Sequence, residues 1–135
     1  MAQNSAVGVG HNVETDLGSI RIADEVVAVV AGLAATEVAG VAGMSGGIAG
    51  GIAEMLGRRN LAKGVKVEVG EKEAAIDLFT VVNYGVRIPD VALEIQQKVK
   101  EAVERMTGLK VVEVNVHVQG VAFAGDEEEE TRRVR

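Results

Sequence analysis

Apolar residues recur along this chain at two rhythms, every second position and every third or fourth, and the switches between them lay out its elements. In Gly18-Ser19-Ile20-Arg21-Ile22, Ile20 and Ile22 share one face, which predicts a short strand. Asp24 suits the N-cap of the run from Glu25 to Val38, and both acids suit the positive end of a helix dipole. Val26, Val30 and Leu33 trace one line of that helix, and Val27, Ala31, Ala34 and Val38 another. It therefore reads as nearly buried, with Gly40 as its stop. A brief strand around Val41 to Ser45 is expected next. Ile48, Ile52, Met55 and Leu56 then fall at helical spacing, with Arg58 and Arg59 just after, and predict a short Gly-rich helix. Gly50 and Gly51 each cost it roughly 1 kcal/mol relative to alanine, so it needs tertiary or intermolecular contacts to form.

The second half is more regular. Val65, Val67 and Val69 alternate with Lys66 and Glu68 as in a half-buried strand, and the turn at Gly70-Glu71-Lys72-Glu73 predicts an antiparallel partner from Ala74 to Tyr84. That partner carries apolar residues on both faces, Ile76, Leu78 and Val82 on one, Phe79 and Val81 on the other, as a central strand does. Pro89 and Asp90 open a helix whose stripe is Val91, Ile95, Val99, Val103 and Met106. Its other face carries the pairs Glu94–Lys98, Lys100–Glu104 and Glu101–Arg105, and Gly108 ends it. The last strand alternates again, with Val112, Val114, Val116 and Val118 inward and Glu113, Asn115, His117 and Gln119 outward. If the strands flanking this helix pair directly, they pair in parallel through a right-handed crossover. The expectation is a single α+β domain, a mixed β-sheet with two main helices packed on one face, plus the short Gly-rich helix.

Composition narrows the range of functions. The chain has 135 residues, of which 47 % are hydrophobic, and only Phe79, Tyr84 and Phe123 are aromatic, so an aliphatic core is expected. A net charge of −6 argues against long-range attraction to phosphate backbones or anionic lipid. Much of the charge sits in the tail, where four glutamates from Glu127 to Glu130 precede Arg132, Arg133 and Arg135. Residues 124–135 read as a disordered charged tail and 1–17 as a flexible leader, leaving 18–123 as the domain. Without cysteine there is no disulfide and no thiolate chemistry. The start of the chain lacks the basic-then-apolar pattern of a signal peptide, and glycines, Thr36, Glu37, Ser45 and Glu54 interrupt the longest apolar region. No direct membrane insertion is expected.

Candidate chemistry is sparse. His11 falls in the leader and His117 on the polar face of a strand, with only Glu113 and Asn115 near it on its own face, so no metal set converges. Gly46-Gly47-Ile48-Ala49-Gly50-Gly51 lacks the lysine of a P-loop and does not follow a strong strand. Ser19 and Ser45 have no histidine partner in sequence, and Asp77 with Glu68 reads as surface charge across a hairpin. No catalytic residue, cofactor or metal is expected.

Taken in order, several stretches resemble the alkaline shock protein family over Gly18 to Phe123. They begin with Gly18-Ser19-Ile20-Arg21-Ile22-Ala23, Ala35-Thr36-Glu37-Val38-Ala39-Gly40-Val41 and Gly64-Val65-Lys66-Val67. The most specific is Val82-Asn83-Tyr84-Gly85-Val86-Arg87-Ile88-Pro89-Asp90-Val91-Ala92. After it come Val103-Glu104-Arg105-Met106-Thr107-Gly108-Leu109 and the strand from Val112 to Phe123. The resemblance implies a non-enzymatic cytoplasmic protein of cell-envelope homeostasis and stress. It implies self-association into a homo-oligomer or filament, and a place at the inner face of the membrane through a separate membrane-anchored protein.

The Gly- and Ala-rich 43–57 segment and the tail depart from the family pattern. For that segment the residues support two readings. Ile48, Ile52, Met55 and Leu56, beside Arg58 and Arg59, bury against the chain's own sheet, the commoner use of a short apolar face, or against another subunit or an anchor. Exposed strand edges offer a second route to assembly. The alternative function is an RNA-binding or small-ligand-binding α+β module, which needs exposed aromatics, a basic stripe or a pocket at 43–57.

Overall fold

In a computed structural model, described here for residues 11–45 and 62–123, the strands form a four-stranded sheet, one face of which packs against the described helices, and a separate two-stranded sheet. The elements run β1 (His11–Thr15), β2 (Gly18–Ile22), α1 (Asp24–Thr36), β3 (Val41–Met44), β4 (Val65–Val69), β5 (Glu73–Asn83), α2 (Ile88–Thr107) and β6 (Lys110–Ala122). β5 is the central strand. Along one edge it pairs antiparallel with β4, Val65 opposite Leu78 and Val69 opposite Ala74, and then with β3, Met44 opposite Thr80. Along its other edge it pairs with β6 in parallel, Leu78 opposite Val116 and Phe79 opposite His117. The mixed sheet and the parallel pairing across α2 are as the sequence predicts.

Burial along β5 alternates without exception from Ala74 to Val82, and its inward residues share one core with both described helices. Val27, Ala31 and Ala35 of α1, Ile95, Val99 and Val103 of α2, and Ile76, Leu78 and Val82 of β5 form the centre of the core. The core is wholly aliphatic. The three aromatic residues all lie outside it, Phe79 half-buried on the other face of the sheet and Tyr84 and Phe123 exposed. Small residues at 28, 31, 32, 34 and 35 line the buried side of α1, where it packs on α2. Pro89 sits in the first turn of α2, and Gly108 caps its end in the left-handed region at φ 79°.

Five expectations change. β1 lies within the stretch read as a leader, because Val13 finds Ile20 as a cross-strand partner and places His11 opposite Ile22. His11 is consequently only 8 % exposed. Asp24 is the first helical residue rather than the cap; Ala23 takes that place with no side-chain bond. α1 is less buried than its composition suggests, since Val26 and Leu33 remain 47 % and 44 % exposed on the side turned away from the sheet. In α2 the buried stripe keeps to every fourth residue and ends on Thr107, leaving Met106 exposed. The Thr107 hydroxyl is satisfied there, donating to the Val103 carbonyl at 2.6 Å and accepting from the Leu109 N–H at 3.1 Å. Finally, a register shift near the start of β6 turns Val111 inward and Val112 outward. An extra residue in one strand reverses the alternation, and no rhythm of valines shows it in advance.

Candidate functional site

The face of the sheet turned away from the helices carries most of the polar side chains that come together. Phe79 and His117 lie opposite each other on adjacent strands, and Lys66, from the strand on the other side of β5, reaches Phe79 from its place opposite Asp77. The His117 ring lies parallel to Phe79 with centroids 4.4 Å apart, and the Lys66 ammonium sits 5.6 Å from the Phe79 centroid. One row further along, Asn115 donates to Asp77 and to Glu113, both at 2.9 Å, and His117 Nε2 lies 3.5 Å from Asp77. Glu68, Asp77 and Glu113 border a shallow depression over Ala75, so the acids expected across the hairpin do share one patch. Ser45 donates to Gln119 Oε1 at 3.1 Å, an amide rather than a base. Among the described residues no group of three or more histidine and acidic side chains is placed to hold a metal ion.

The outer edge of β6 shows a different arrangement, which its sequence does not signal. Gln96, Lys100 and Glu104 stand one helical turn apart on α2 and reach over to the backbone of β6. Gln96 Nε2 donates to the Val114 carbonyl at 2.9 Å, and Lys100 Nζ lies 3.5 Å from the Val111 carbonyl. Glu104 accepts from the Val111 N–H at 2.9 Å and is paired with Lys100 at 2.8 Å. An open strand edge is a template for another strand, and side chains placed across it block that use. Among the described residues the blocking covers 111–114 and stops. Of the three helix pairs expected on this face, Lys100–Glu104 is the one that closes, and it does so at the sheet edge.

The bond from Lys100, with that from the Val111 N–H behind it, holds the Glu104 carboxyl below its ordinary value of 4.5. A carboxyl lowered by folding adds stability above its ordinary range, and that stability is lost as pH falls through the lowered value. Melting temperatures of the wild type and Glu104→Gln are therefore expected to differ most at neutral pH and to converge as pH drops below the carboxyl range. A gap that stays constant with pH would show that the charge contributes nothing.

Ile48, Ile52, Met55, Leu56, Arg58 and Arg59 lie outside the described residues. The structure does show where their segment is rooted. Ser45 donates its N–H to the Phe79 carbonyl, Phe79 donates its own to the Gly64 carbonyl, both at 2.7 Å, and the two ends meet in the middle of β5. No described helix is long and apolar enough to cross a membrane.

Residues 12–123 match the alkaline shock protein/Gls24 family, described as having a cell envelope-related function. The chain is 42 % identical over 123 residues to the uncharacterized protein YqhY of Bacillus subtilis (strain 168), covering 91 % of this chain and 90 % of that one. It is 41 % identical over 109 residues to the uncharacterized protein YloU of the same strain, covering 79 % and 91 %. To a stress response regulator gls24 homolog of Streptococcus pyogenes serotype M3 it is 38 % identical over 102 residues, covering 75 % of this chain and 57 % of that protein. No solved structure matches the chain. With a match spanning both described helices and, but for His11, the six described strands, the chain belongs to the alkaline shock protein/Gls24 family.

Proposed function

We propose that this protein is a non-enzymatic, self-associating scaffold of cell-envelope homeostasis and stress response. In this reading it works in the cytoplasm, at the inner face of the membrane, held there by a membrane-anchored protein. The observation that carries the reading is the partly blocked edge of β6. A sheet that ends in a 13-residue strand, covered by described side chains over only part of its length, offers backbone to another strand. The polar groups clustered on the sheet and at the β6 edge favour the same view, because they satisfy one another: Asp77 and Glu113 by Asn115, Ser45 by Gln119, Glu104 by Lys100.

The RNA-binding alternative fits less well. Both faces of the Phe79 ring are flanked, by His117 and Lys66, so it offers no stacking platform, and acids border the neighbouring depression. Sedimentation velocity of the full chain over a hundredfold concentration range is expected to show concentration-dependent assembly. Fractionated cells are expected to hold it with the membrane, while pure anionic vesicles leave it in solution. A strict monomer at high concentration, absent from the membrane fraction, would sink the proposal.

A further inference from the structure

The β6 edge also specifies how a second copy would attach. In a strand, the N–H and C=O of one residue point to the same edge and those of the next point to the other. The Val114 carbonyl points outward, since it accepts from Gln96, so the backbone groups of Val116 and Val118 point outward too. His117 turns the opposite way, its carbonyl accepting from the Thr80 hydroxyl on the β5 side. The side chains reaching over from α2 end at Val114, and a second register shift follows Val118, at Gly120. The regular part of the edge that no described side chain covers is therefore short: Val116, His117 and Val118.

We propose that two copies of the chain pair antiparallel along this edge, about a two-fold axis through His117. The inference rests on the self-associating reading above and names its surface. In this register Val116 faces Val118 of the second copy, and each such pair exchanges both of its backbone hydrogen bonds, giving four across the axis. The valine pairs stack on the helix side of the sheet, a favourable β-branched combination. On the open face Asn115 lies opposite Gln119 of the second copy. The pairing is thus self-complementary, and it joins two sheets into one continuous sheet.

Only His117 meets its own copy in this register, which supplies the test. His117→Glu and His117→Lys each place like charges directly opposite across the axis. Each variant alone is expected to weaken dimerisation at least tenfold, and an equimolar mixture is expected to restore it as a heterodimer. The side chain is on the surface, and circular dichroism with thermal melting checks that each variant folds. Independently, amide exchange at Val116 and Val118 is expected to slow as wild-type concentration rises.

Both single variants assembling like wild type, or a mixture no stronger than either alone, overturns this register and leaves the scaffold reading standing. Amides at Val116 and Val118 that ignore concentration while the chain dimerises do the same. A wild type that stays monomeric at high concentration overturns the scaffold reading and this register together.

Discussion

Gly64→Ala is expected to destabilise the fold by about 3 kcal/mol or more, several times the cost of the same change at Gly108. Both glycines sit at φ 79°, in the left-handed region, so the backbone penalty for alanine is shared and is on the order of 1 kcal/mol. What differs is the surroundings. A Cβ on Gly108 meets nothing within 4 Å, while one on Gly64 falls 2.7 Å from the Ser45 carbonyl oxygen and 3.0 Å from that of Phe79. Those are main-chain atoms held in the sheet, so relief requires β3 or β4 to move away from β5.

For a domain of this size, the expected drop in melting temperature is roughly 10–20 °C for Gly64→Ala and about 5 °C for Gly108→Ala. Thermal melts of the two variants side by side isolate the crowding from the backbone term. Equal losses would show that the junction yields. The junction matters beyond stability, because Ser45 and Gly64, both bonded to Phe79, flank residues 46–61 in the chain. The candidate contacts at Ile48, Ile52, Met55, Leu56, Arg58 and Arg59 are all carried on that segment.

Much of this architecture is legible in the order of residues, for identifiable reasons. The period-two runs at 65–69 and 74–82 and the period-four stripe from Val91 to Val103 each bury one side of their element, so composition and position agree. Pro89 and Gly108 mark both ends of α2 because each suits a backbone state that other residues disfavour. The misreadings arise where two elements must meet. Whether Val111 or Val112 turns inward depends on a register shift against β5, and whether Met106 or Thr107 is buried depends on a hydroxyl finding the Val103 carbonyl. β1 is too polar to announce a strand alone and is paired with β2, the strand that Ile20 and Ile22 do predict.

The edge of β6 is the clearest example. Gln96, Lys100 and Glu104 read in sequence as one more solvent-facing helical row. Only the parallel crossover brings that row alongside Val111 and Val114 and turns it into a partial guard on the strand.

Leu78→Ala is expected to cost about 3 kcal/mol, and Phe79→Ala only about 1, although phenylalanine is the larger side chain. The two are neighbours on β5 and point to opposite faces of the sheet. Leu78 is fully buried beneath the helices, so truncation leaves a cavity in a packed aliphatic core. Phe79 is half-buried, flanked by Lys66 and His117, and its loss removes surface contacts without opening the core. Denaturant melts at low protein concentration measure both. The comparison also decides what lies over the open face. If the Ile48 to Leu56 stripe packs on its own sheet, Phe79 is a core residue in the whole chain, and Phe79→Ala costs nearly as much as Leu78→Ala at every concentration. If a second molecule covers the face, the Phe79→Ala penalty grows with concentration while that of Leu78→Ala starts high. A small penalty that does not change with concentration leaves the face open and places assembly at the strand edge.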